Sequence, residues 1–328
     1  MLSSLKLLGI SFVAALSVGC ATEAADSGGD DVTDTADFTS REGYTPIKNA
    51  RGGVYVSVAA YGQRAYLGDN QQGIDIVDLV TMKKTGSLEG RIPADSLSVS
   101  GRLLAACGDR DDQPLNWDAV YGASDRNYII TLFDAKTGQK KREISLRLQQ
   151  YIESQSNGFI DLPTMTCQLD ATGKSLSVSF SVDKLKDEIV TFPIPDEAVS
   201  YDFRQIPNAT RQAVASDDDN TVTGFSSGPH GLTYAAGGYG LRRIAPNQKT
   251  TKTIRNEGKE WLVGVAERGA RLFVADHDGA LLVLDADSGA TVESIPVNDW
   301  LEGVAIADKY VLVVGRAGLM VAKDRWSR

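Results

Sequence analysis

Two short acidic runs are the densest chemistry in this chain. Asp109-Arg110-Asp111-Asp112 and Asp217-Asp218-Asp219 gather hard carboxylate oxygens, the donors that calcium takes in numbers. Neither run has EF-hand spacing, so both read as solvated acidic loops. A calcium site at Asp109, Asp111 and Asp112 is the metal alternative, and no other cofactor is expected. His230 lies in Gly228-Pro229-His230-Gly231 and His277 in Asp276-His277-Asp278-Gly279, turn contexts in which an imidazole is simply exposed. No P-loop, GxGxxG fingerprint or serine nucleophile elbow is expected. Without a CxxC or a Cys/His cluster, structural zinc is not expected either. Cys107 and Cys167 end apolar runs and read as buried small hydrophobes. A disulfide between them is the alternative, open only if their Cα atoms approach within about 7 Å.

The elements that must position any site come from a repeat. Trp261-Leu262-Val263-Gly264-Val265-Ala266 leads through Gly269 to Arg271-Leu272-Phe273-Val274, then through Gly279 to Leu281-Leu282-Val283-Leu284-Asp285. A step of 39 residues, without a gap, finds the same layout from Trp300-Leu301-Glu302-Gly303-Val304-Ala305 to Met320-Val321-Ala322-Lys323-Asp324. It recurs near the other end, from Val54-Tyr55-Val56-Ser57-Val58-Ala59 to Ile74-Asp75-Ile76-Val77-Asp78. Each unit holds three β-type runs and a fourth beyond a turn such as Asp134 to Gly138 or Asp285 to Gly289. Four short strands in roughly 40 residues is the period of a propeller blade. The fold expected is therefore all-β, a β-propeller with six four-stranded blades whose inner strands begin near Val54, Asp95, Thr164, Thr221, Trp261 and Trp300. The last unit stops after its third strand, so the segment 43–48 is expected to complete that blade. A seventh blade between Ser200 and Asn220 is the competing count, and a β-sandwich the competing architecture.

Gly73-Ile74-Asp75-Ile76-Val77-Asp78, with Arg64-Ala65-Tyr66-Leu67-Gly68-Asp69 before it, resembles the LVIVD repeat, a bacterial relative of the YVTN-type propellers. The resemblance covers about three units. Six-bladed lactonases and related hydrolases share the layout and hold a metal with carboxylates at the channel mouth, where inner strands begin. Asp95, Asp299 and Glu302 are the residues here that such an enzyme would use. Trp261 and Trp300 read as packing residues between blades, and two are too few for the recurrent docking motif of propeller quinone enzymes.

The connections after strands one and three are uniformly tight. The long ones, 108–127, 148–163 and 208–220, all follow strands two or four, so all belong to one face. Long connections in a compact repeat are commonly functional. Trp117, Tyr121, Tyr128, Tyr151 and Phe159 give that face aromatic candidates for protein or glycan contact.

Ahead of the repeat, Lys6 precedes an apolar run from Leu7 to Val18, a length suited to a secretory signal and too short for a permanent span. Leu16-Ser17-Val18-Gly19-Cys20 resembles the bacterial lipobox, with Ser17 where an aliphatic residue is usual. That resemblance implies cleavage before Cys20 and its acylation with palmitate-type chains, and Ala21 after the cysteine implies the outer membrane. Ordinary cleavage to a secreted protein is the alternative. The net charge is -9, and six acids against Arg41 put about half of that excess into residues 21–41, a polar stretch that reads as a flexible spacer. The expected organisation is signal 1–19, lipidated cysteine and linker 20–42, and propeller 43–328. With no basic stripe, nucleic acid is not an expected partner. The expectation is a non-catalytic envelope binding protein, with a metal-dependent hydrolase or a structural spacer as alternatives.

Overall fold

In a computed structural model of the chain, the repeat folds into six β-sheets arranged as blades around a central channel. The structure describes residues 47–49, 52–71, 73–110, 122–152, 165–180, 188–213, 222–228, 231–236, 240–244, 251–255, 261–297 and 299–326, with backbone alone for 122–126, 149–152, 236 and 251. Cys20, Trp117, Tyr121, Phe159, Asp111, Asp112, His230 and the acidic run at 217–219 lie outside these residues.

Blade one is a meander of β1 (Tyr55–Tyr61), β2 (Arg64–Asp69), β3 (Gly73–Asp78) and β4 (Lys83–Ser87). Blade two repeats it with β5 (Ser96–Ser100), β6 (Leu103–Asp109), β7 (Gly122–Asp134) and β8 (Lys140–Ile152). Blade three uses β9 (Met165–Leu169), β10 (Ser175–Phe180) and β11 (Glu188–Pro193), then departs from the pattern. The strand that follows, β12 (Val199–Asp202), pairs in parallel with β8 as a fifth strand of blade two, and β13 (Thr210–Ala213) returns to close blade three. The segment that competed as a seventh blade is thus shared by two existing ones, and the blade count is six.

Blades four and five are again simple meanders. They comprise β14 (Val222–Gly228), β15 (Gly231–Ala236), β16 (Gly240–Ile244) and β17 (Thr251–Arg255), then β18 (Leu262–Arg268), β19 (Arg271–Asp276), β20 (Ala280–Asp285) and β21 (Thr291–Pro296). Blade six has β22 (Leu301–Ala307), β23 (Tyr310–Gly315) and β24 (Gly318–Lys323). Its outer partner is Ile47, whose N–H and C=O bond Leu319 at 3.3 and 3.0 Å. The ring is completed where β22 lies against β1. Pairing the two ends in one sheet protects an edge that would otherwise be open.

Burial explains why the strands stand as they do. Period-two alternation gives each blade two faces, and both are apolar because each blade has a neighbour on either side. One hydrophobic cluster fills each of the six seams. Among the described residues, the seam between blades two and three is the largest, and that between three and four the thinnest, built on Ile189, Val222, Phe225 and Tyr234. Cys107 on β6 and Cys167 on β9 face each other across the large seam with Cα atoms 6.3 Å apart, and they are disulfide-bonded. This corrects the reading of two separate thiols. The approach depends on a seam between blades, which neither apolar run reveals by itself.

Tight turns between strands three and four share one device. Asp78, Asp134 and Asp285 each accept N–H groups two and three residues on, at 2.7 to 3.2 Å. The residue four places after the aspartate then takes positive φ. It is Gly138 (φ 76°) and Gly289 (φ 72°) in blades two and five, but Met82 (φ 53°) in blade one.

Candidate functional site

The inner strands carry an irregularity at the same place in four blades. The pairing register shifts between Tyr55 and Ser57, Val222 and Gly224, Leu262 and Gly264, and Leu301 and Gly303. Each shift is a β-bulge, which turns an extra residue out of the ladder. The four residues so released, Val56, Thr223, Val263 and Glu302, line the channel. Just past the bulges, three glycines let neighbouring inner strands nearly touch. A Cβ on Gly224 would stand 2.8 Å from the Gly264 Cα, and one on Gly264 would stand 3.1 Å from the Gly303 Cα. The channel cavity is consequently only about 60 Å³. A ligand of any size must sit on the mouth, not within.

The repeat also builds the mouth. The residue before an inner strand offers its carbonyl to the N–H of the first turn residue between strands two and three. Val54 so holds Asn70 at 3.1 Å, Trp261 holds His277 at 2.8 Å and Trp300 holds Arg316 at 3.4 Å. In blade one the pair is a valine and an asparagine. In blades five and six it gives two indoles, an imidazole and a guanidinium.

These four side chains form a row. The His277 ring lies 6.4 Å from Trp261 and 5.3 Å from Trp300, tilted to both. The Arg316 guanidinium lies 3.4 Å from the Trp300 ring centroid, close enough for a cation–π contact. His277 Nδ1 is 3.1 Å from the Leu301 carbonyl, which can only accept, so Nδ1 carries the proton. Despite these contacts, Trp261 is 57% and Trp300 48% exposed. Both were expected to pack between blades, and His277 to be merely exposed. Instead the indoles stand on the rim and the imidazole is half-buried between them.

Two carboxylates lie by the row, and a third lines the channel in blade two. Burial pushes the Glu302 carboxyl above its usual range, with Asp299 adding to the effect and His277 and Arg316 opposing it. Asp299 Oδ2 accepts the Ala317 N–H at 2.7 Å, so it fixes the turn that carries Arg316. Asp95 lines the channel and accepts from the Asp109 N–H at 3.4 Å, an equivalent place in blade two. Among the described residues, no three His, Cys, Asp or Glu side chains converge as a metal site.

The remaining candidates divide between core and face. Tyr128 is fully buried, edge-on to Phe180 at 4.6 Å, so it belongs to the seam of blades two and three and corrects its assignment as a contact residue. Tyr151 is on the distal part of β8, opposite Ala123. The first two long connections prove to be partly strand. β7 and β8 continue past the disc as a two-stranded ribbon, paired from Phe133 and Lys140 out to Gly122 and Ile152. The letters Gly-x-Ser-x-Gly do occur, contrary to expectation, at Gly224-Phe225-Ser226-Ser227-Gly228. They lie wholly within β14, where the Ser226 hydroxyl accepts the Glu267 N–H at 2.9 Å, not on the strand-to-helix turn that exposes a nucleophile. A second cavity of about 230 Å³ is lined by Arg91, Arg110 and Lys140. Its cations are not free for a ligand, since Glu143 pairs Lys140 at 2.7 Å and Arg110 at 3.6 Å.

No protein family matches the chain by its sequence signature, and no curated protein sequence matches it. Among solved structures, the chain is similar to one from the crystal structure of a nidogen/laminin complex, at 14% identity and a TM-score of 0.53, covering 78% of this chain and 86% of that one. A second similarity is to a computationally designed protein, Ika8, at 11% identity and a TM-score of 0.48, over 85% of this chain and 99% of that one. At such identities the first likeness shows the propeller fold alone.

Proposed function

We propose that this chain is a non-catalytic binding platform, a lipid-anchored propeller of the bacterial envelope that turns its mouth face toward a protein or glycan partner. One observation carries this reading. Trp261, His277, Trp300 and Arg316 make a half-exposed aromatic row at the channel mouth, where folding alone gives no reason to leave two indoles in water. The β7–β8 ribbon rises on the same face. The carboxylates there fit this role better than that of a lactonase-type hydrolase, because Asp299 and Asp95 accept backbone N–H groups of their own turns. A nidogen/laminin complex as a structural neighbour is in keeping with a propeller that binds other molecules.

The anchor rests on the lipobox-like Leu16 to Cys20 and the acidic spacer behind it. Dual or triple acylation would hold the chain durably where a single acyl chain would not. The test is in-cell cross-linking of the full chain followed by recovery of its complexes. Replacing Trp261 and Trp300 together by Ala is expected to lose the partner, whereas Val80→Ser, on the opposite face, keeps it. Equal recovery from both variants, with both folded, defeats the proposal. Incorporation of labelled palmitate that persists in Cys20→Ala would defeat the anchor.

A further inference from the structure

We infer that the row at the mouth takes a neutral oligosaccharide, its pyranose rings laid on the indoles of Trp261 and Trp300. This rests on the binding role proposed above and names the class of ligand. Half-exposed indoles offer flat apolar surface, which suits either the C–H face of a sugar or an apolar peptide side chain. The polar groups at the margin decide between them.

Backbone groups at the mouth are already engaged. The carbonyls of Trp261 and Trp300 accept from His277 and Arg316, and the Leu301 carbonyl faces His277 Nδ1. A peptide bound in extended form needs a free strand edge for its own N–H and C=O groups, and these residues do not provide one. Side-chain groups remain. The Arg316 guanidinium donates and, among the described residues, makes no salt bridge. His277 Nε2 accepts when the ring is neutral, and Glu302 and the second oxygen of Asp299 lie close by.

Donors and acceptors of opposite charge in one small site suit hydroxyl groups, which do both. A strongly acidic ligand would face Glu302 and Asp299, and a strongly basic one would face Arg316. Either would strip water from a charge without pairing it, which costs more than the contact returns.

The repeat supplies the second argument. Trp261 and Trp300 are equivalent residues on adjacent blades, 39 positions apart, so the site presents an indole twice, the second with Arg316 beside it. Two indoles side by side match successive rings of an oligomer better than one compact ligand. The row is also held before any ligand arrives. The Arg316 guanidinium is held 3.4 Å from the Trp300 ring centroid, its turn is fixed by Asp299, and His277 is fixed by Leu301. Little side-chain freedom is left to lose on binding.

The test titrates the full chain, in a detergent without a sugar headgroup, with maltotriose, cellotriose and the trimer of N-acetylglucosamine. Binding is followed by calorimetry and by tryptophan fluorescence, with the matching monosaccharides alongside. At least one trimer is expected to saturate and to bind roughly tenfold tighter than its monosaccharide. Trp261→Ala and Trp300→Ala should each weaken it by roughly tenfold or more, while Trp300→Phe keeps most of it and Val80→Ser all of it. Unaltered thermal unfolding serves as the check on folding.

No saturation by any neutral trimer overturns the inference, as does binding that ignores both tryptophans. Tighter binding of trigalacturonate or of a tryptophan-containing peptide also overturns it. If sugars fail but cross-linked partner recovery still depends on Trp261 and Trp300, the carbohydrate assignment falls and the platform stands. If both fail, both fall.

Discussion

His277 spans two blades: its backbone N–H holds the carbonyl of Trp261 in its own blade at 2.8 Å, while its ring lies 5.3 Å from Trp300 in the next. The hydrogen bond belongs to the repeat, since Asn70 with Val54 and Arg316 with Trp300 make it too. The ring contact belongs to this site alone among those three. A general device of the fold thus fixes the backbone, and side-chain choice in two blades converts it into a surface for a ligand.

The close approach of inner strands sets the width of the channel. Gly224 has no room for a methyl group, because its Cβ would meet the Gly264 backbone at 2.8 Å. Gly224→Ala is expected to cost about 1–3 kcal/mol by overpacking, read as a lower urea midpoint. An unchanged midpoint would mean that the blades can part at this seam.

Met82 sits where equivalent turns have glycine, at φ 53°. An L side chain pays about 1–2 kcal/mol in that region, partly offset by the backbone freedom that glycine brings to the unfolded chain. Met82→Gly should therefore raise stability by up to about 1 kcal/mol. A loss of stability in the same denaturation measurement would refute that account of the turn.

The Cys107–Cys167 bond joins the second strand of blade two to the inner strand of blade three. Thiol alkylation of the unfolded, unreduced protein should label neither residue, and both only after reduction. Replacing both by Ala should cost about 2–4 kcal/mol, chiefly by freeing the unfolded chain. A free thiol at either position in protein taken from its native compartment would contradict the pairing.

Turn aspartates and Glu302 titrate with opposite consequences. Hydrogen bonds from the Ser288 N–H and hydroxyl hold Asp285 below the usual carboxylate range, and those from Thr81 do the same for Asp78. A depressed carboxyl stabilises the fold above its unfolded pKa of about 3.9, and that contribution is lost as pH falls through the folded value. Asp285→Asn should flatten the acid limb of a plot of melting temperature against pH. Glu302, raised chiefly by burial, stabilises only while protonated, and its contribution is lost as pH rises through its folded value. Glu302→Gln should then raise the melting temperature at neutral pH and lose that advantage in acid. A gain that persists unchanged in acid would show that Glu302 is not the titrating group.

The architecture was legible because the repeat runs gap-free from Trp261 to Asp324, and period-two apolar runs mark each strand. All six inner strands begin within a residue of where the repeat puts them. What escaped was contact between blades. Cys107 meets Cys167 and Tyr128 meets Phe180 across a seam, and no local pattern encodes which strand of one blade faces the next. The strand β12 escaped for a related reason, since its parallel pairing with β8 is made outside the meander. The mouth row was half legible. Its signal lies in equal spacing, with His277 following Trp261 and Arg316 following Trp300 at the interval that separates Asn70 from Val54. Residue type alone pointed instead to the acidic runs and the rings of the long connections.

The central claim is that the mouth face is where a partner lands. It is tested most directly by placing a photo-reactive phenylalanine analogue at Trp261 in one version of the full chain and at Val80 in another. Val80 is 62% exposed on the turn between strands three and four, on the opposite face of the disc. After irradiation in intact cells, a discrete covalent adduct is expected from Trp261 and none from Val80. An adduct from Val80 with none from Trp261 would contradict the account.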